Sequence, residues 1–103
     1  MQDYKVKVVK FGGSSLAGAD QFRKAAAIVR AEECRRYVVP SAPGKRFSSD
    51  DKVTDMLYKC YDLAASGNDP GPALKGIRER FDEIIKELSI SFDIDTEIDS
   101  LKA

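Results

Sequence analysis

Histidine and tryptophan are absent from the 103 residues, and cysteine occurs only twice. Without an imidazole there can be no Ser-His-Asp or Cys-His hydrolytic machinery and no histidine ligand for a zinc site, so acid–base chemistry falls to Lys, Asp or Glu. Cys34 and Cys60 are far apart with no CxxC spacing, which reads as two reduced thiols in packing roles. Seventeen basic residues balance seventeen acidic ones, so the broad positive field that attracts a nucleic-acid backbone is missing and no such partner is expected. Long apolar runs are lacking too, and the opening Met-Gln-Asp-Tyr-Lys has nothing like a secretory signal. Neither export nor membrane insertion is indicated, and a cytoplasmic location is expected.

What remains is an ordinary globular composition, 43% hydrophobic, with no internal repeat and no low-complexity segment. Residues 4–11 are β-branched and aromatic with apolar/polar alternation, which predicts a strand ending at Gly12-Gly13. Asp20 can cap a helix in which Phe22, Ala25, Ala26 and Val29 recur at helical spacing to about Glu33. Residues 36–40 form a second short strand, and a strand–helix–strand unit of this length implies a right-handed crossover between parallel neighbours. The fold class is therefore α/β.

Residues 41–50 combine Pro, Gly and Ser and read as a loop. From residue 51 onward Val53, Met56, Leu57, Cys60, Tyr61 and Ala64 fall on one helical face, and Gly67 ends that helix. After a turn at 68–72, Leu74, Ile77, Phe81, Ile84, Ile85 and Leu88 mark a second amphipathic helix. The two should form an antiparallel hairpin. Residues 89–93 break the pattern, and Asp95 opens a further helix through Ile98 and Leu101, within which the chain stops. Two strands are too few for a parallel sheet covered on both faces, which points to a domain continuing elsewhere.

The chemistry concentrates at Lys10-Phe11-Gly12-Gly13-Ser14-Ser15: a lysine at a strand end, two glycines, two hydroxyls, then a helix. Glycines admit phosphate oxygens close to backbone amides, a helix N-terminus adds a positive dipole, and the lysine can neutralise a transferring phosphoryl group. A bare Gly-Gly pair equally fits a plain strand–turn–helix corner. The pattern is neither a Walker A loop, since the lysine precedes the glycines, nor GxGxxG. Lys45-Arg46 could help hold an anion, but a solvated loop charge pair explains it better.

Lys-Phe-Gly-Gly-Ser-Ser resembles the Lys-Phe-Gly-Gly-(Thr/Ser)-Ser signature of aspartate kinases, in the amino-acid kinase superfamily. Val38-Val39-Pro40-Ser41-Ala42-Pro43-Gly44 is similar to that family's Val-Val-x-Ser-Ala strand end, and Val53-Thr54-Asp55-Met56-Leu57 resembles its (Ile/Val)-Thr-(Asn/Asp)-x-Leu helix start. The specific part of the resemblance runs from about Lys7 to Leu63. It implies the N-terminal portion of a three-layer amino-acid kinase domain, with ATP and L-aspartate as partners and Mg2+ held mainly through the nucleotide phosphates. The reaction implied gives 4-phospho-L-aspartate, in aspartate-family amino-acid biosynthesis.

Carried over residue by residue, Lys10 is the catalytic cation, and Lys10, Gly12, Gly13 and Ser14 bind the nucleotide phosphates. Ser41 and Thr54 bind the amino-acid substrate; taken alone, either hydroxyl could as well cap a loop or helix start. No residue is assigned to a metal. The later strands of the domain, an Arg-Gly-Glu-type segment, the nucleotide-base pocket and the regulatory ACT domains have no counterpart in the chain. The resemblance further implies a homo-oligomer for the complete protein and little or no activity for this segment by itself. A stand-alone anion-binding or protein-interaction module, using the helix pair as its binding face, is the alternative.

Overall fold

The β-branched run after Val6 folds as β1 (Lys7–Phe11) and the Arg-Arg-Tyr-Val-Val-Pro run as β2 (Arg35–Pro40) in a computed structural model that describes residues 5–102. The strands pair in parallel, Val8 opposite Tyr37 and Phe11 opposite Pro40, with a register irregularity between Lys7 and Val8. Lys5 and Val6 precede the strand, and residue 4 of the expected strand lies outside the described residues. The crossover is α1 (Ala19–Ala31). A short 3-10 turn, Gly13–Leu16, which sequence periodicity did not reveal, lies between β1 and α1.

Two expectations for α1 are corrected. Gly18, not Asp20, occupies the cap position, and no side chain caps the helix. Asp20 sits in the first turn, where the helix dipole favours a carboxylate, and pairs with Arg23 at 2.7 Å. At the other end the helix stops at Ala31 because Glu32 is extended (φ −138°, ψ 126°), its carboxylate accepting a hydrogen bond from Lys7 Nζ at 2.8 Å.

The chain divides between Asp50 and Asp51 into two compact units. In the first, period-two alternation turns Val9 and Phe11 toward α1, where they pack with Leu16, Phe22, Ala25 and Val29. The opposite sheet face carries Val8, Lys10, Tyr37 and Val39, all exposed.

The second unit comprises α2 (Val53–Ala65), α3 (Gly71–Glu87) and α4 (Ile94–Lys102). Asp51 meets Arg80, and a Cβ built on Gly76 would stand 3.3 Å from Met56 Cε. Rising numbers in one helix thus meet falling numbers in the other, and the hairpin is antiparallel as its short connection requires. Val53, Leu74, Ile77, Ile84 and Ile98 form its buried centre. Leu57, Tyr61 and Ala64, expected on the packed stripe of α2, are exposed instead, since one partner helix covers a narrower seam than the apolar arc offers.

Both hairpin helices end in Schellman motifs. At the first, Gly67 N–H donates to Ala64 and Asn68 N–H to Leu63, with Gly67 at φ +79°. At the second, Ser89 and Ile90 donate to Lys86 and Ile85, and Ser89 takes the left-handed position at φ 54°. α4 starts at Ile94, one residue before the expected opening at Asp95, and the Asp93 carboxylate ahead of it accepts from Thr96 N at 3.2 Å and Thr96 Oγ1 at 2.5 Å. Asp95 is drawn off to Arg78 at 3.0 Å.

Candidate functional site

Parallel strands present ligands at their carboxyl ends, where loops converge and helix N-termini point. In the first unit that end is built from the loops after β1 and β2. The Ser41 amide donates to the Phe11 carbonyl at 3.0 Å, which extends the ladder beyond the last strand residues. Two residues beyond Phe11 and three beyond Ser41, Gly44 N donates to Gly13 O at 2.8 Å. Lys10, Gly12, Gly13, Ser14 and Ser41 are thereby brought to one end of the sheet by two main-chain bonds.

Three glycines at this corner differ in what demands them. A Cβ at Gly44 would lie 2.6 Å from Gly13 C and 2.9 Å from Ser14 N, and one at Gly13 would lie 3.1 Å from Ala42 O. Neither position has room for a side chain. Gly12 is the opposite case: its backbone is ordinary extended (φ −74°, ψ 171°), and a Cβ there would meet nothing within 4 Å. Packing and backbone conformation do not call for glycine at 12. Open space does lie beside it.

As the opening residues of the 3-10 turn, Gly13 and Ser14 have no carbonyl within it to donate to, while Ser15 N already donates to Gly12 O at 3.1 Å. Lys10 is exposed and stands opposite Val39 in the ladder. Main-chain amides without a backbone acceptor, at a strand end that also carries a lysine, are the kind of groups that hold an anionic oxygen. Downstream, Arg46 folds back on Asp50, with Nε to Oδ2 at 2.6 Å and Nη2 to Oδ1 at 3.0 Å, and lies 5.5 Å from the Phe47 ring centroid. Of the Lys45-Arg46 pair, the arginine is therefore committed to loop structure.

Thr54 belongs to the second unit, at the second position of α2, and is exposed. It heads an outward stripe at helical spacing with Leu57, Tyr58 and Tyr61, which together line a shallow apolar depression of about 430 Å³. Sequence reasoning missed two residues here. Gly44 was read as part of a loop and as the end of the motif-like stretch from Val38, with no role of its own; a Pro-Gly step signals a turn but not the backbone it closes on. Arg80 lies on the packed stripe of α3 and is buried; nothing in the sequence distinguishes it from the exposed arginines.

Among the described residues no three His, Cys, Asp or Glu side chains converge as metal ligands, and no helix is long and apolar enough to cross a membrane. Cys34 and Cys60 are free thiols, as the sequence indicated. Burial pushes the Cys60 thiol above its ordinary value, which keeps it protonated and unreactive.

No protein-family model matches the chain. Aspartokinase 3 of Bacillus subtilis is 45% identical over 86 residues, which are 82% of this chain and 19% of that protein. The crystal structure of Clostridium acetobutylicum aspartate kinase superimposes with a TM-score of 0.88 at 43% identity, covering 92% of this chain and 22% of the other. The chain thus spans about a fifth of the length of the relatives it matches. Near-half identity over four-fifths of its residues, joined to a shared α/β fold over nine-tenths of them, makes the chain a member of the aspartate kinase family.

Proposed function

We propose that this chain supplies the phosphate-gripping corner and two substrate contacts of an ATP-dependent kinase acting on L-aspartate, and that turnover requires the longer protein of which such a segment forms a part. The carrying observation is Gly12: neither packing nor φ asks for glycine there, and its missing side chain leaves open space between the end of the strand that carries Lys10 and the start of the 3-10 turn. A phosphate needs that space.

In the reaction, an oxygen of the aspartate side-chain carboxylate attacks the γ-phosphorus of ATP. The new O–P bond forms as the bond to the β,γ-bridging oxygen breaks, and ADP leaves with that electron pair. Little covalent work falls to the protein; positioning and charge neutralisation dominate. Lys10 lies against the transferring group and offsets its charge. The Gly13 and Ser14 amides hold phosphate oxygens, and Ser41 and Thr54 donate hydrogen bonds to aspartate. The described residues provide no ligand set for Mg2+. An ion accompanying ATP would be held mainly through the nucleotide phosphates and would offset part of their charge.

The exposed faces favour a kinase segment over an autonomous binding module. Val8 and Tyr37 are 66% and 62% exposed on the sheet, and Tyr58 and Tyr61 are 65% and 70% exposed on α2. A self-sufficient module would cover such surfaces. The test is coupled ADP release with aspartate, comparing the complete enzyme with its Lys10→Ala variant. Loss of one preorganised charge contact costs about 3 kcal/mol, roughly a hundredfold in kcat, with a small change in the KM for aspartate. The 103-residue chain alone should show no turnover above that variant; a Lys10→Ala enzyme with normal kcat removes Lys10 from the site.

A further inference from the structure

We propose that Arg80 is a positioning residue for the aspartate subsite, holding the first turn of α2 so that the Thr54 hydroxyl is presented to substrate. This rests on the reading of Thr54 given above. Arg80 is only 4% exposed and sits on the face of α3 that packs against α2, between buried Ile77 and Ile84. Its Nη1 donates to the Asp51 carbonyl at 2.8 Å.

The helix it reaches has no cap of its own. Lys52 occupies the N-cap position of α2 without a side-chain cap hydrogen bond, and the Lys52 carbonyl accepts from Met56 N at 3.1 Å. One residue upstream, the Asp51 carbonyl is taken by the guanidinium. Thr54 follows three residues later. An apolar side chain would fill this seam without the desolvation that a buried guanidinium suffers, so packing does not account for an arginine at the position. A tie to the entry of α2 does.

The experiment uses the complete enzyme with Arg80→Met, which keeps length and loses every donor, and Arg80→Lys, which keeps one. The expected result for Arg80→Met is a KM for aspartate raised about tenfold, on the scale of a displaced hydrogen bond to a charged group, with kcat and the KM for ATP within about twofold of the parent. Amides 56–59, the first hydrogen-bonded ones of α2, should exchange hydrogen faster while those of α3 keep their protection, and Arg80→Lys should recover part of both effects. In a Thr54→Val background Arg80→Met should add little, because the two residues act through one contact. Unchanged exchange at 56–59 overturns the tie itself, whatever the activity. Faster exchange with an unchanged aspartate KM overturns the substrate role, as does a full additional KM rise in the Thr54→Val background. Failure of the kinase reading shows separately, as a parent enzyme without aspartate turnover or a silent Lys10→Ala, and takes the substrate role with it. If Arg80→Met does not fold, the same readings are taken from Arg80→Lys.

Discussion

Gly44→Ala and Gly12→Ala are the same chemical change at two ends of one loop pair, and the geometry assigns them opposite consequences. At Gly44 the new methyl would start 2.6 Å from Gly13 C and 2.8 Å from Gly13 O. Ordinary contact begins at 3.4 Å, so about 0.8 Å of movement must be found, and the obstructing atoms are backbone. Overpacking of this kind typically costs about 1–3 kcal/mol. The strain falls on the 2.8 Å bond between Gly44 N and Gly13 O, so the loop carrying Ser14 moves away from Lys10. Misplacement on the order of 1 Å can cost about a hundredfold in rate. At Gly12 a methyl meets nothing within 4 Å, so folding should be unaffected, or slightly helped by a less flexible unfolded chain. If that space belongs to a phosphate, the KM for ATP should still rise. Thermal denaturation and steady-state kinetics on both variants of the complete enzyme decide the matter: Gly44→Ala lowers Tm and kcat, while Gly12→Ala leaves Tm and raises only the KM for ATP. A Gly12→Ala enzyme with unchanged ATP kinetics would refute the assignment of that space to phosphate, and a Gly44→Ala protein of parental Tm would refute the account of the backbone contact.

Thr54→Val in the complete enzyme should raise the KM for aspartate by about 1.5–3 kcal/mol in free-energy terms, the scale of a hydrogen bond to a charged group, while the KM for ATP stays close to parental; silent kinetics would reduce Thr54 to a surface residue. Ser89→Gly should stabilise the hairpin by about 1 kcal/mol, read as a higher denaturation midpoint, because a non-glycine side chain at φ 54° pays the left-handed penalty. Glu32 is held below its ordinary value of 4.5, first by the hydrogen bond from Lys7, then by that from Cys34 and the charge of Arg35. A depressed carboxyl contributes stability above its unfolded value that is lost as pH falls through the folded one. The Tm advantage of the parent over Glu32→Gln should therefore be largest near neutrality and vanish below the carboxylate range; an advantage that persisted in acid would show that charge is not its source.

Much of this architecture was legible because local rules and tertiary packing agree. Period-two alternation over Val9 and Phe11 marks the inner sheet face, and Gly67 ends its helix where a left-handed residue is needed. Ser89 does the same work with no glycine to announce it. The stripe of α2 was read too wide, since periodicity identifies an apolar arc but not how much of it one neighbour covers. Asp20 was taken as a cap where Gly18 stands, because a carboxylate near a helix start has two uses, capping and ion pairing, that sequence does not separate. Gly12 and Gly13 stood out as a pair, yet the partner that locks them, Gly44, is 31 positions beyond Gly13 and meets it only through the fold. Arg80 was hidden for a related reason: burial of a charge is a fact about neighbours.

The bond between Gly13 and Gly44 joins two atoms that every amino acid carries except proline at the donor. Side-chain substitution cannot delete the clasp; it can only remove the clearance that lets the clasp close. The shape of the corner is thus written in the main chain and protected by the smallness of two residues.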